Sequence, residues 1–299
     1  MKSKRIIGIA ASVIILISFI LAGAGWKFST NLLHAPARCQ PAHVYCKGPE
    51  ELGLPSRDVR LTTVDGVLLE GWLIPAENSK KIIVFVHGFS ANRHAGLRYA
   101  KALRGAGFNY LLVNLRGAMK DPEKSFFSMG YHEQKDVKAM IDYAVNDLAM
   151  DSVGIMGTSM GASTAIAAMA KDPRIKAGIF NSGFSGVRAE LADRAKKGFG
   201  LPAFPLVDII MLMASLRGDI DFAAVDPLEH IGKIAPRPVF IFHSVKDPQV
   251  GFHHARQLFQ RAGEPRELWE GPWPGHVMDW NNDREESERR VTAFFGKYL

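Results

Sequence analysis

The stretch SVGIMGTSMGASTAIAAMA, residues 152–170, decides the fold. Its first six residues form an apolar, β-rich run of the kind that makes a strand buried on both faces. From Met160 the pattern changes to that of a helix built of small and apolar residues. Between the two stands Gly157-Thr158-Ser159-Met160-Gly161, a G-x-S-x-G pentapeptide. A strand that turns this abruptly into a helix forces the central residue into a strained backbone conformation. The small Gly157 and Gly161 let the flanking segments approach without clashing. The Ser159 hydroxyl is thereby pushed out at the C-terminal end of the strand, beside the positive end of the helix.

A serine hydroxyl is a weak nucleophile until a base removes its proton, so a histidine is required, with a carboxylate to fix the ring's tautomer. With this kind of elbow the chain order is serine, acid, histidine. Five histidines follow Ser159. His253 and His254 fall in a helix pattern, His243 closes a strand and His230 sits in a helical turn, so a core or surface role suits each. His276 lies in the loop GPWPGH, between the last strand and the last helix, where its ring can reach across the strand ends. It is the expected base. Asp247, in HSVKDPQV, directly follows the penultimate strand and is the expected acid, although Asp-Pro is also an ordinary turn pair. The expected oxyanion donors are the backbone N–H groups of Met160 and of Phe89, the latter in the loop after KIIVFV. His87 is read as a brace for that loop.

Strand and helix patterns alternate from Lys81 to the C-terminus, the signature of βαβ units around a mostly parallel sheet. Before them, DVRLTTV and VLLEGWLIP flank Asp65-Gly66, which predicts an N-terminal β-hairpin with a type I′ turn. The alternation is interrupted by a strandless apolar segment, LPAFPLVDIIMLMASL, so residues 184–225 are expected to form a small helical lid over the strand ends.

The other long apolar run is IIGIAASVIILISFILAGAG, residues 6–25, uncharged and long enough to cross a hydrocarbon core of about 30 Å. Lys2, Lys4 and Arg5 precede it, so the N-terminus is expected to stay cytoplasmic while the rest is exported. A cleaved signal peptide is the rival reading, with Ala22-Gly23-Ala24 near the cut. The expected divisions are an anchor at 1–27, a connector at 28–55 and a catalytic domain at 56–299. In the connector, Cys39 and Cys46 are expected to pair, with two free thiols as the plain alternative. A metal clip through His43 would lack a fourth ligand nearby, and no metal is expected. The net charge of +7 owes three positives to the extreme N-terminus and the remainder is scattered, which argues against nucleic acid as a partner. With 47% hydrophobic residues and 2 cysteines, the composition excludes disorder and a disulfide scaffold.

HGFSAN (87–92), NLRG (114–117), MGYHEQKDV (129–137), GTSMG, VKDPQV and PGH together make the chain similar to the α/β-hydrolase superfamily over about residues 55–298. Within it the chain resembles bacterial membrane-anchored serine hydrolases related to the BEM46-like and serine aminopeptidase S33-like groups. The resemblance implies an α/β-hydrolase fold, Ser159, Asp247 and His276 as nucleophile, acid and base, and no cofactor. Relatives usually carry Asp where Asn114 stands and a fuller R-G-H-G-x-S where this chain has Arg116-Gly117-Ala118-Met119. The expected activity is hydrolysis of a carboxylic ester, thioester or amide of a small-molecule acyl substrate, with esterase favoured over peptidase. Phe126, Phe127, Met129 and Phe184 are expected to line an acyl pocket. The alternatives are an exported peptidase and a silent binding or scaffold protein that keeps the fold.

Overall fold

Eight runs rich in β-branched and aromatic residues pair into one sheet, in a computed structural model that describes residues 2–39, 46–119 and 126–299. His43 lies outside the described residues. The strands are β1 (Arg57–Thr62), β2 (Leu68–Ile74), β3 (Lys81–Val86), β4 (Asn109–Val113), β5 (Ser152–Thr158), β6 (Ile175–Asn181), β7 (Val239–Lys246) and β8 (Arg266–Pro274). Their order across the sheet is β1-β2-β4-β3-β5-β6-β7-β8. β1, β2 and β4 pair antiparallel in succession, and every later neighbour is parallel. The mostly parallel sheet with an N-terminal hairpin is the α/β-hydrolase fold read from the sequence.

One helix precedes the sheet, α1 (Lys2–Leu33). Those on the sheet faces and at its edges are α2 (Leu97–Gly105), α3 (Glu133–Asp142), α4 (Met160–Lys171), α5 (Val187–Phe199), α6 (Leu206–Gly218), α7 (Pro227–Ile231), α8 (Phe252–Arg261), α9 (Asp279–Asn282) and α10 (Arg284–Tyr298). Because parallel strands are covered on both sides, β3 and β5 are buried almost throughout and divide two apolar clusters. Val84 and Ile155 belong to the cluster under α3 and α4, and Phe85 and Met156 to the one under α2 and α10. α5 and α6 are the helical insertion between β6 and α7.

The hairpin turn departs from the expected type I′. That turn needs positive φ at both central residues, whereas Gly66 has φ 79° and Asp65 is not in the left-handed region. The Thr63 N–H instead donates to Val67 O at 3.0 Å, closing a longer loop with glycine in the left-handed position. Side chains set this geometry: Thr63 Oγ1 bonds Asp65, and Asp65 is gripped by Arg116. That grip holds the Asp65 carboxyl well below the usual carboxylate range. Arg116 also meets the fully buried Asp136 at 2.8 Å, which ties the hairpin to α3.

α1 also runs farther than the apolar run in the sequence. Its exposed part, rich in Ile, Leu and Phe, is a candidate membrane anchor or signal sequence, with mean hydropathy 2.7. The helix continues to Leu33, and its last turns dock on the fold: Ser29, Leu32 and Leu33 are buried, and the Phe127 N–H donates to Leu33 O at 2.8 Å. Beyond it, Cys39 is joined to Cys46, and Arg38 N–H donates to Ser90 O at 3.0 Å.

Candidate active site

In-register pairing sets the site. Val86 of β3 lies opposite Gly157 of β5, so Phe89 and Ser159, three and two residues farther on, meet at one edge of the sheet. Here the strand order reverses around β3, and such a switch point opens a crevice at the carboxyl ends of the strands. Ser159 has φ 55° and ψ −124°, the strained conformation its motif predicts. The two glycines are required by contact. A Cβ on Gly161 would stand 2.1 Å from Val86 O, and one on Gly157 would stand 2.3 Å from Gly161 O.

Ser159 Oγ is 2.8 Å from His276 Nε2, and His276 Nδ1 is 2.7 Å from Asp247 Oδ2. The other oxygen of Asp247 accepts from the Gln249 and Val250 amides at 2.8 and 3.0 Å, which fixes the carboxylate. The structure therefore brings together all three residues selected from the sequence. This arrangement lets the imidazole take the Ser159 proton on Nε2 while Nδ1–H donates to the carboxylate.

Phe89 and Met160, the expected oxyanion donors, flank this edge of the sheet. Met160 opens α4, so its N–H is among the helix's unpaired first donors, and Phe89 lies in the loop beside it. Among the described residues neither amide donates a hydrogen bond within the chain. His87 braces their loop from below: its Nδ1–H donates to Gly88 O, and its Nε2 accepts the Leu115 N–H, both at 2.9 Å. Burial pushes this ring down to about 4.

Other placements correct the sequence reading. Phe127, Met129 and Phe184 are core residues, and neither they nor Phe126 line the cavity at Ser159. Phe127 stacks on Phe89 with ring centroids 5.0 Å apart, so its part is to support that loop. Phe126 packs edge-on to His132. The cavity, about 230 Å³, is instead lined by Phe89, Thr158, His276 and Val277 together with the cations Arg38 and Arg194.

Four residues behind His276 escaped the sequence reading. Buried Asp279 accepts from Asn181 Nδ2 at 2.7 Å and from the Tyr99 hydroxyl, and Arg98 donates to Val277 O at 2.8 Å. Together they pin the loop that carries the imidazole to β6 and α2. They come from separate segments, and only tertiary contact joins them.

Among the described residues one group could hold a metal ion, since Asp193, His253 and His254 offer ligand atoms within 4.8 Å of one another. Buried His254 Nε2 stands 3.6 Å from Glu190 Oε2, and none of these three residues lines the Ser159 cavity.

Fold and site together define an α/β hydrolase. The sequence model of the prolyl oligopeptidase family matches residues 98–299, more than half of the chain, and the chain belongs to that family. YqkD of Bacillus subtilis is 25% identical over 77% of this chain and 75% of its own. The Pyrococcus furiosus esterase Pf2001 is 25% identical, with TM-score 0.71 over 89% of this chain and 98% of the esterase. An acylaminoacyl peptidase from Pyrococcus horikoshii shares the fold, with TM-score 0.63 and 19% identity over 82% of this chain and 42% of the peptidase. The chain is thus a hydrolase, and its structural neighbours include an esterase and a peptidase.

Proposed function

We propose that this hydrolase cleaves carboxylic esters through an acyl-enzyme carried on Ser159. The observation that supports it most directly is the single imidazole of His276 between Ser159 Oγ and Asp247 Oδ2, at 2.8 and 2.7 Å. Ser159 Oγ attacks the ester carbonyl as His276 Nε2 takes its proton. The carbonyl π pair moves to oxygen, which receives the Phe89 and Met160 amides. As the C–O bond breaks, His276 returns the proton to the departing alcohol. A water molecule, deprotonated by the same ring, then releases the acid and restores Ser159. Asp247 remains ionised and holds the ring in its Nδ1–H form. Each backbone donor supplies about 3 kcal/mol to the oxyanion, and a side-chain change at Phe89 or Met160 leaves the donor itself in place.

Ester is preferred to peptide because the wall next to the Ser159 cavity is apolar and the neighbour Pf2001, which aligns over almost its whole length, is described as an esterase. Thioesters and amides share the acyl step and form the competing substrate classes. The export expected from Lys2, Lys4 and Arg5 places the hydrolase domain beyond the membrane, with α1 as a single-pass anchor.

The test uses full-length protein in detergent. A fluorophosphonate probe labels the wild type and fails to label Ser159→Ala. Asp247→Asn remains folded, and its kcat on p-nitrophenyl esters falls by about four orders of magnitude. Absence of labelling on folded wild type, or faster turnover of aminoacyl anilides than of every ester, overturns the proposal.

A further inference from the structure

A second cavity, about 240 Å³, adjoins the one that contains Ser159, and Phe89 and Arg194 line both. Neither alone reaches the roughly 300–1,000 Å³ of small-molecule sites, and joined end to end they do. The second is walled by Phe28 and Leu32 of α1, Leu191 and Phe199 of α5, and Val207 and Ile210 of α6. Its polar lining is confined to Asn31 and Arg194. A chamber of this character suits hydrocarbon, and the Phe89 and Arg194 that it shares with the Ser159 cavity set the two side by side.

Its outer wall is the helix long and apolar enough to cross a bilayer. α1 and α6 are locked together there. A Cβ on Gly25 would stand 2.6 Å from Ile209, so the two helices touch at that point. Arg217 of α6 donates to Ser29 Oγ and Thr30 Oγ1 at 2.8 Å, with its guanidinium 3.9 Å from the Trp26 ring centroid. Most of the large exposed apolar side chains outside α1 lie on the same insertion, including Phe199, Phe204, Leu212 and Leu216, the last two on the helix that packs against α1. Isolated exposed leucines need no explanation, but a cluster against a candidate anchor presents an apolar rim beside it.

We propose that this second cavity is an acyl-chain channel, and that the substrate is an acyl ester of a membrane-resident lipid. The inference rests on the ester-hydrolase reading above. The chain enters between α1, α5 and α6 and passes Phe89, which delivers its carbonyl carbon to Ser159. The alcohol part occupies the polar cavity, where Arg38 and Arg194 meet an anionic head group. Hydrolysis consumes one water, breaks the acyl C–O bond, and yields a fatty acid and the deacylated lipid, which carries the proton returned by His276.

The experiment compares p-nitrophenyl dodecanoate with p-nitrophenyl acetate on full-length wild type, Val207→Trp and Ile210→Trp. The wild type favours the dodecanoate in kcat/KM, and each tryptophan lowers the dodecanoate-to-acetate ratio by about tenfold or more. Dodecyl and ethyl fluorophosphonates on the wild type alone give the same comparison without a variant, and the dodecyl probe labels faster. A third arm reconstitutes the protein in vesicles of phosphatidylethanolamine and phosphatidylglycerol and measures released fatty acid. No chain-length preference in either wild-type comparison, or an unchanged ratio in both folded variants, overturns the channel. Dodecanoate turnover with no fatty acid released from vesicles overturns the membrane source. Wild type that hydrolyses neither ester and takes no probe removes the hydrolase reading, and the channel falls with it.

Discussion

Gly161 is the residue on which the nucleophile's position depends most. Its α-carbon faces Val86 O and His87 O so closely that an added Cβ would come within 2.1 and 2.5 Å of them. Both are backbone atoms of the strand end that leads to the Phe89 loop and cannot rotate away. Gly161→Ala is expected to cost roughly 3 kcal/mol or more in stability, measured by urea unfolding, and to abolish fluorophosphonate labelling even where folded protein remains. His87, directly beneath, gives the site an acid limit. In the unfolded chain its pKa is 6.5, and in the folded protein burial pushes it down to about 4. Between those values the unfolded state binds more protons, so stability falls as pH drops from about 6.5 towards 4, by on the order of 3 kcal/mol. Denaturation midpoints across that range should flatten in His87→Gln, and an unchanged slope would assign the effect elsewhere. At this scale Ser159, Asp247 and His276 were legible because their order and loop positions are constrained by the strands that carry them. Phe126, Phe127, Met129 and Phe184 were misplaced because apolar residues near a motif read alike whether they line a cavity or fill the core. Asp279, Asn181 and Arg98 left no local trace, since their roles exist only in contact.

Arg116 carries the link between elements. Its guanidinium, almost wholly buried, meets Asp65 in the hairpin loop at 2.9 Å and Asp136 in α3 at 2.8 Å, and so clamps β1 and β2 to the parallel part of the sheet. Arg116→Met would leave Asp136 buried and unpaired, and burial, which already pushes its carboxyl up to about 7, would drive it to take up a proton. The expected loss is roughly 3–5 kcal/mol, from the broken buried pair and the unpartnered carboxyl left behind. Arg116→Met combined with Asp136→Leu should recover much of the loss, and failure to recover it in a double-mutant cycle would move the cost to the hairpin. The elements themselves were legible from alternation and turn residues. The hairpin loop type was not, because its shape depends on Arg116, a residue distant in sequence from Asp65. The full length of α1 was likewise not legible. The apolar run stops at Gly25, but the helix continues because Ser29 and Leu32 find buried partners on the fold, which a hydropathy pattern does not register.

Across the whole molecule, the Cys39–Cys46 link closes a short loop where the chain passes from α1 to the hydrolase domain. Chain-entropy reasoning assigns a loop of this size about 2.5 kcal/mol. Reduction with dithiothreitol should lower the unfolding midpoint accordingly, with Cys39→Ser/Cys46→Ser matching the reduced wild type, and no shift in either would deny the link a stabilising role.

The docking of Leu32, Leu33 and Ser29 makes α1 a mast and not a leash. On the proposed reading of α1 as the membrane anchor, no slack is left between span and hydrolase, and the catalytic mouth is held at a fixed height and heading above one leaflet. An enzyme so held, acting on the membrane-resident lipid proposed above, would meet its substrate by lateral diffusion in two dimensions and not from the surrounding fluid.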